Sequence, residues 1–193
     1  MYKIILFALV FITWFFVFLV FRNSKMYFFK FLAGSVGIFT ICMIFFMPYL
    51  EGVLNGLISN TLGVIGKSIS VFEVFKENSI ISIDTRDGIV SMVINYECSG
   101  VIEMLVFTSL AFFFPFGGVI RKTLSLILGN IYIFIANIIR IIFIALAVKA
   151  FGASSYYLVH TLLARILFFG LTVLLYYYTF TSTQLRYQKV GEM

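Results

Sequence analysis

Four side chains stand out because of where they lie. Glu103, Arg140, His160 and Arg165 are ionisable residues set within apolar runs, and a charge inside a membrane span costs at least about 2.5 kcal/mol on insertion scales. Two thiols join them, Cys42 and Cys98. Cys98 sits in Glu97-Cys98-Ser99-Gly100, where a β-branched run ends and a helical pattern begins. A helix N-terminus offers amide hydrogens and positive dipole to a thiolate, which suits a nucleophile. The same pattern equally describes a small packing residue in a turn. Cys42, among Ile41, Met43 and Ile44, reads as structural.

His160 is the one histidine in the chain, which excludes a metal site built on two or three imidazoles. Beside a cysteine it serves as a general base, or as the imidazolium of an ion pair, and then as an acid toward a leaving amine. Away from one it is an interfacial histidine without a task. Asn130, Asn137 and Arg140 share one face of an apolar helix and form a polar stripe that must meet protein or water. In a functional reading Arg140 offers its guanidinium to a developing oxyanion. In a structural reading it pairs with Glu103 while Asn137 makes an interhelical hydrogen bond. Arg165 follows His160 by five positions, roughly 140° around the helix, so it points toward another helix, a lipid headgroup or substrate.

The elements that position these residues follow from composition. Of 193 residues, 62% are hydrophobic and 11% charged, against about 25% charged in soluble domains. The chain reads as an all-α integral membrane protein, one membrane-embedded domain over residues 1–193. Five apolar runs are predicted to span the membrane, at about 4–21, 27–50, 101–116, 124–148 and 157–180. The first runs into Arg22, Asn23, Ser24 and Lys25 without a small-residue cleavage site and reads as a retained anchor. The net charge of +6 is spread between spans, so it marks topology and not a nucleic-acid surface. Arg22, Lys25 and Lys30, then Arg121 and Lys122, then Arg186 and Lys189 mark inner loops. Seven of the eight acidic residues fall between Glu51 and Glu103, which places the long segment 51–98 outside and gives an outward N-terminus and inward C-terminus.

Within that outer segment, Leu54, Leu57, Ile58, Leu62, Ile65, Ile69 and Phe72 recur at helical steps and predict an amphipathic helix over 52–75 lying in the interface. Residues 79–97 alternate in β-branched fashion around Asp84-Thr85-Arg86-Asp87-Gly88 and predict a hairpin. On this topology Cys98, Arg140 and His160 converge from three elements on the outer third of the bilayer, which is how active sites are assembled.

Cys98-Ser99-Gly100 after an outer hairpin, Asn137-x-x-Arg140 in the next long span and His160 near the outer start of the last resemble the exosortase and archaeosortase family of integral-membrane cysteine transpeptidases. The likeness covers Asp87 to Phe180 and rests on residue order together with membrane side. It implies a catalytic set of Cys98, Arg140 and His160, with Ser99, Gly100, Glu103, Asn137 and Arg165 as supporting or substrate-binding residues. It further implies a plasma-membrane enzyme, active on the extracytoplasmic side, whose partners are the bilayer and membrane-anchored proteins carrying a C-terminal sorting tail. No metal or organic cofactor is needed. Many members have about eight spans where this chain has five, and some archaeal relatives carry arginine at the third catalytic position.

Two other readings stand beside this one. An intramembrane serine protease would use Ser99 and His160, although the Gly-x-Ser-Gly motif of the rhomboid type is absent because position 97 is Glu. A non-enzymatic membrane subunit or transporter component would use Arg140 and Glu103 as a buried pair; the chain has no inverted repeat to favour transport.

Overall fold

Prolines and turn residues decide where this apolar chain breaks into helices. The computed structural model describes residues 2–116 and 118–182. Helix α1 (Tyr2–Asn23) is followed by Lys25 at a positive φ of 55°, and the chain reverses into α2 (Tyr27–Phe45). A proline has no N–H and its ring clashes with the carbonyl four residues back. Pro48 therefore stops α2, which closes with the Phe46 N–H on the Cys42 carbonyl at 2.9 Å. Pro48 itself is accommodated in the first turn of α3 (Met47–Ile69). The apolar run expected to span 27–50 is thus two helices, and the amphipathic helix expected over 52–75 begins at Met47 and ends at Ile69.

Ser70, at φ 53°, turns the chain into β1 (Glu73–Phe75), a strand that helical periodicity had hidden. The expected hairpin follows as β2 (Ile80–Thr85) and β3 (Gly88–Val93), joined by Arg86-Asp87, with Thr85 opposite Gly88. β1 pairs antiparallel with the other edge of β2, which gives the order β1-β2-β3. A single helical turn, α4 (Tyr96–Ser99), leads through Gly100, left-handed at φ 75°, into α5 (Val101–Phe113). Pro115 disfavours helical backbone at Phe114, so α5 has only 13 residues. Its length of about 20 Å is short of the ~30 Å hydrocarbon core.

Helix α6 (Val119–Phe151) and helix α7 (Ala153–Thr181) complete the chain. α7 opens with a 3₁₀ turn and widens into π-helix at Val159–Leu163 and Tyr177–Thr181. Among the described residues four helices, α1, α2, α6 and α7, are long and apolar enough to cross a membrane, and the protein is a mostly helical multi-pass membrane protein. Four replace the expected five because α5 is too short. The basic pair Arg186 and Lys189 lies outside the described residues.

Two compact units emerge, one from Met1–Tyr49 with Ile102–Asn130 and the other from Leu50–Val101 with Ile131–Met193. In the first, the Trp14 indole N–H donates to the Ala33 carbonyl at 2.9 Å, and the absence of a side chain at Gly37 gives the indole its seat. Thr108 and Asn130 hydrogen-bond to each other at 3.0 Å, and Glu103 is half-buried here. In the second unit, Leu54, Ile58 and Leu62 form the buried row of α3, and Ile81, Ile83 and Met92 form the buried face of the sheet. Ile133, Ile141, Ile144 and Val148 bury one face of α6, and Val159, Ala164 and Phe168 do so for α7. All the groups that follow belong to this second unit.

Candidate active site

The site is built on the chain that leaves β3. Asn95 is extended (φ −107°, ψ −177°) and caps α4, its Oδ1 accepting the Cys98 N–H at 3.2 Å while its carbonyl accepts the same N–H at 2.9 Å. This is ordinary Asn capping chemistry, and it fixes the turn that carries the thiol. Cys98 is therefore the third residue of a four-residue helix, with its own amide already engaged. The expectation that Cys98 sits at the N-terminus of a helix and draws on its dipole is corrected on this point: the helix is a single turn, and Gly100 separates it from α5.

The group that meets the thiol comes from α7. Nε2 of His160 lies 3.1 Å from Sγ of Cys98, although 62 residues separate them in sequence. Cys98 is buried and His160 half-buried. His160 lies in the π-helical stretch, where the Ala164 N–H reaches back five residues to the Val159 carbonyl. Such wide turns are rare and recur at functional sites. The Tyr156 ring stacks on the imidazole, centroids 5.3 Å apart and planes 22° apart, and limits its rotation.

The polar stripe of α6 holds the Cys98 turn by its backbone. A helix leaves its last carbonyls without internal partners, and in α4 two of these are answered from α6. Asn137 Nδ2 donates to the Cys98 carbonyl at 2.9 Å, and Arg140 Nη1 donates to the Glu97 carbonyl at 3.3 Å. Both residues are buried, Asn137 completely, and the guanidinium lies 5.4 Å over the Phe168 ring. Among the described residues no hydrogen-bond partner meets the buried Arg140 Nε or Asn137 Oδ1. Within this unit the polar partner of Arg140 is thus a carbonyl of the cysteine turn; Glu103 belongs to the other unit.

Arg165 reaches the same turn: its Nη2 pairs with Glu97 Oε2 at 3.4 Å, with both side chains about half exposed. Ser99 is engaged with backbone, donating to the Tyr96 carbonyl at 3.3 Å and accepting the Val101 N–H at 3.4 Å. Gly100 has a positive φ, and a Cβ there would lie 3.4 Å from Asn137 and 3.6 Å from Phe168. Cys98 and His160 thus meet directly, and Asn137, Arg140 and Arg165 all converge on residues 97–98. Sequence reasoning missed Asn95, Tyr156 and Phe168. The first two had signals, an Asn cap three residues before Cys98 and an aromatic one turn before His160; the π-turn had none.

A thiol in hydrogen-bond contact with an imidazole can pass it a proton and attack as a thiolate. Compared with protein-family models, curated proteins and solved structures, the chain matches none.

Proposed function

We propose that this protein is a membrane cysteine peptidase or transpeptidase of the exosortase and archaeosortase type, acting at the extracytoplasmic face of the plasma membrane. The observation that carries the reading is the 3.1 Å contact between Cys98 Sγ and His160 Nε2. In the proposed cycle His160 takes the thiol proton and Sγ bonds to a peptide carbonyl carbon of a membrane-anchored substrate. Arg140, whose Nε has no hydrogen-bond partner among the described residues, supplies positive charge and a donor to the oxyanion. Collapse of the tetrahedral adduct breaks the C–N bond, and His160 returns its proton to the departing amine. An amine, a hydroxyl or water then attacks the Cys98 thioester and releases the product. The substrates proposed are secreted proteins with a C-terminal sorting tail.

The serine alternative has less support, because the Ser99 hydroxyl is committed to Tyr96 and Val101 while the imidazole faces Cys98. The test is acylation of the purified protein by p-nitrophenyl acetate. Wild type is expected to release a burst of one p-nitrophenolate per protein, with the acetyl group on Cys98 by mass spectrometry. Cys98→Ala should abolish the burst, Ser99→Ala should keep it, and His160→Ala should slow it by at least about 100-fold, the low end of general-base contributions. Acylation at Ser99, or a Cys98 rate indifferent to His160, would overturn the proposal.

A further inference from the structure

The outward backbone groups of β3 have no hydrogen-bond partner among the described residues, and the strand leads through Asn95 into the α4 turn that carries Cys98. The Ile94 N–H bonds the Ser79 carbonyl at 2.9 Å, and antiparallel pairing alternates bonded and non-bonded positions from there. Met92, Val90 and Gly88 therefore turn their backbone groups toward β2, and Val93, Ser91 and Ile89 turn theirs outward. Among the described residues nothing bonds to these outward groups, and all three side chains are exposed, Ile89 by 72% and Val93 by 57%. The far end of the hairpin is fixed, with the Asp87 carboxylate against Gly152 at the start of α7. Its near end runs through Ile94, held by Asn55 Nδ2 at 3.0 Å, and Asn95 into α4. Val93 and Cys98 are five positions apart, so the two Cα atoms are at most about 18 Å apart.

We infer that this edge receives the substrate as an added strand. The inference rests on the cysteine-peptidase reading of Cys98. An open row of N–H and C=O groups is complementary to extended polypeptide, and chain direction fixes which part of the substrate fits. β3 runs toward Cys98. The segment on the leaving-group side of the cleaved bond starts at Cys98 and runs away from it, so beside β3 it lies antiparallel, continuing the pairing of the sheet. This segment docks on Val93, Ser91 and Ile89 through its backbone. Recognition there tolerates varied side chains, and the strand must be extended.

The probe is chloroacetyl-Ala-Ala-Ala-amide, whose CH2 carbon bonds to Cys98 Sγ as chloride leaves and whose peptide projects on the leaving-group side. Chloroacetamide, with the same reacting group and no peptide, is the control. Wild type is expected to react at Cys98 at least about tenfold faster with the peptide, since two or three added backbone bonds suffice for that factor. A single N-methyl group moved along the three alanines should erase the gain at alternate positions. Ser91→Pro, which removes an outward N–H and none of the bonds to β2, should erase it while leaving the chloroacetamide rate unchanged. Equal rates for peptide and control, or N-methyl effects without alternation, would overturn strand addition; the N-methyl series needs no variant that must fold. A chloroacetamide rate that depends on His160, seen with no peptide gain, removes strand addition alone. A rate independent of His160 removes the peptidase reading and this inference with it.

Discussion

Replacing Asn137 with leucine separates what holds the fold from what holds the site. Asn137 is completely buried, and its Nδ2 supplies the 2.9 Å hydrogen bond to the Cys98 carbonyl. Interhelical hydrogen bonds of membrane proteins contribute about 0.6 kcal/mol on average and up to about 1.7, so losing this one costs on that scale. The substitution also removes Oδ1, a buried acceptor without a partner, and deleting such an atom recovers desolvation cost of order 1–3 kcal/mol. The two terms oppose each other, and leucine keeps the branched outline and heavy-atom count of asparagine. Overall stability should therefore shift by no more than about 1 kcal/mol, or about 2–4 °C in Tm for a chain of this size. The site should fare worse. With the Asn137 anchor gone, the cysteine turn loses one of its ties to α6, Arg140 on Glu97 remaining, and the thiol–imidazole contact loosens. The assay is thermal unfolding in detergent beside the p-nitrophenyl acetate burst at Cys98, where at least a tenfold slowing is expected. A burst rate like wild type with unchanged Tm would refute the claim that the stripe positions the nucleophile. A large loss of Tm would instead make Asn137 a structural residue.

Three further substitutions probe other parts of the same reasoning. Gly100→Ala places a side chain at φ 75° with neighbours at ordinary contact distance, so it should cost about 1–2 kcal/mol from backbone conformation and lower Tm while still folding. Ser99→Ala removes a hydroxyl that bonds only backbone of its own turn; it should lower Tm slightly, by the ~1 kcal/mol of a single hydrogen bond, with the Cys98 burst retained. Gly37→Ala puts a methyl group where the Trp14 indole sits. Trp14 is the one tryptophan in the chain, so loss of its bond to Ala33 should appear directly as a change in fluorescence emission, with about 1–3 kcal/mol of destabilisation from overpacking.

Arg140 and His160 were legible because each violates an apolar context, and Cys98 because it sits where a β-branched run ends and a helical pattern begins. Cys98, Arg140 and His160 stand out against the residues around them, and the spacing of Asn137 and Arg140 placed both on one helix face. Their partners were not legible. Arg140 and Asn137 bind backbone carbonyls, and a carbonyl has no signature in sequence. The lengths of the helices were legible only where proline or glycine interrupts them. Pro115 was visible, yet hydropathy carried the run to Phe116 and made a 13-residue helix look like a span. β1 was lost for a related reason. Phe72 continues the apolar period of α3, and only the left-handed backbone at Ser70 breaks it.

The unmet hydrogen bonds bear on whether this arrangement is merely structural. Among the described residues, four buried side-chain polar atoms lack a partner: Asn55 Oδ1, Ser59 Oγ, Asn137 Oδ1 and Arg140 Nε. Three belong to residues that brace the segment from Ile94 to Cys98, Asn55 at its start and Asn137 and Arg140 at its end. A scaffold selected only for stability satisfies or removes such atoms, since each costs about 1–3 kcal/mol when left buried and unpaired. Here they concentrate around the one cysteine that faces an imidazole. Local rules of this kind are broken chiefly where function demands it, and on the proposed reading such unpaired donors and acceptors are groups that a substrate's peptide backbone can complete. On the proposed peptidase reading Asn137 and Arg140 each have two tasks: one hydrogen bond fixes the cysteine turn, and the polar atom that has no partner among the described residues serves the substrate.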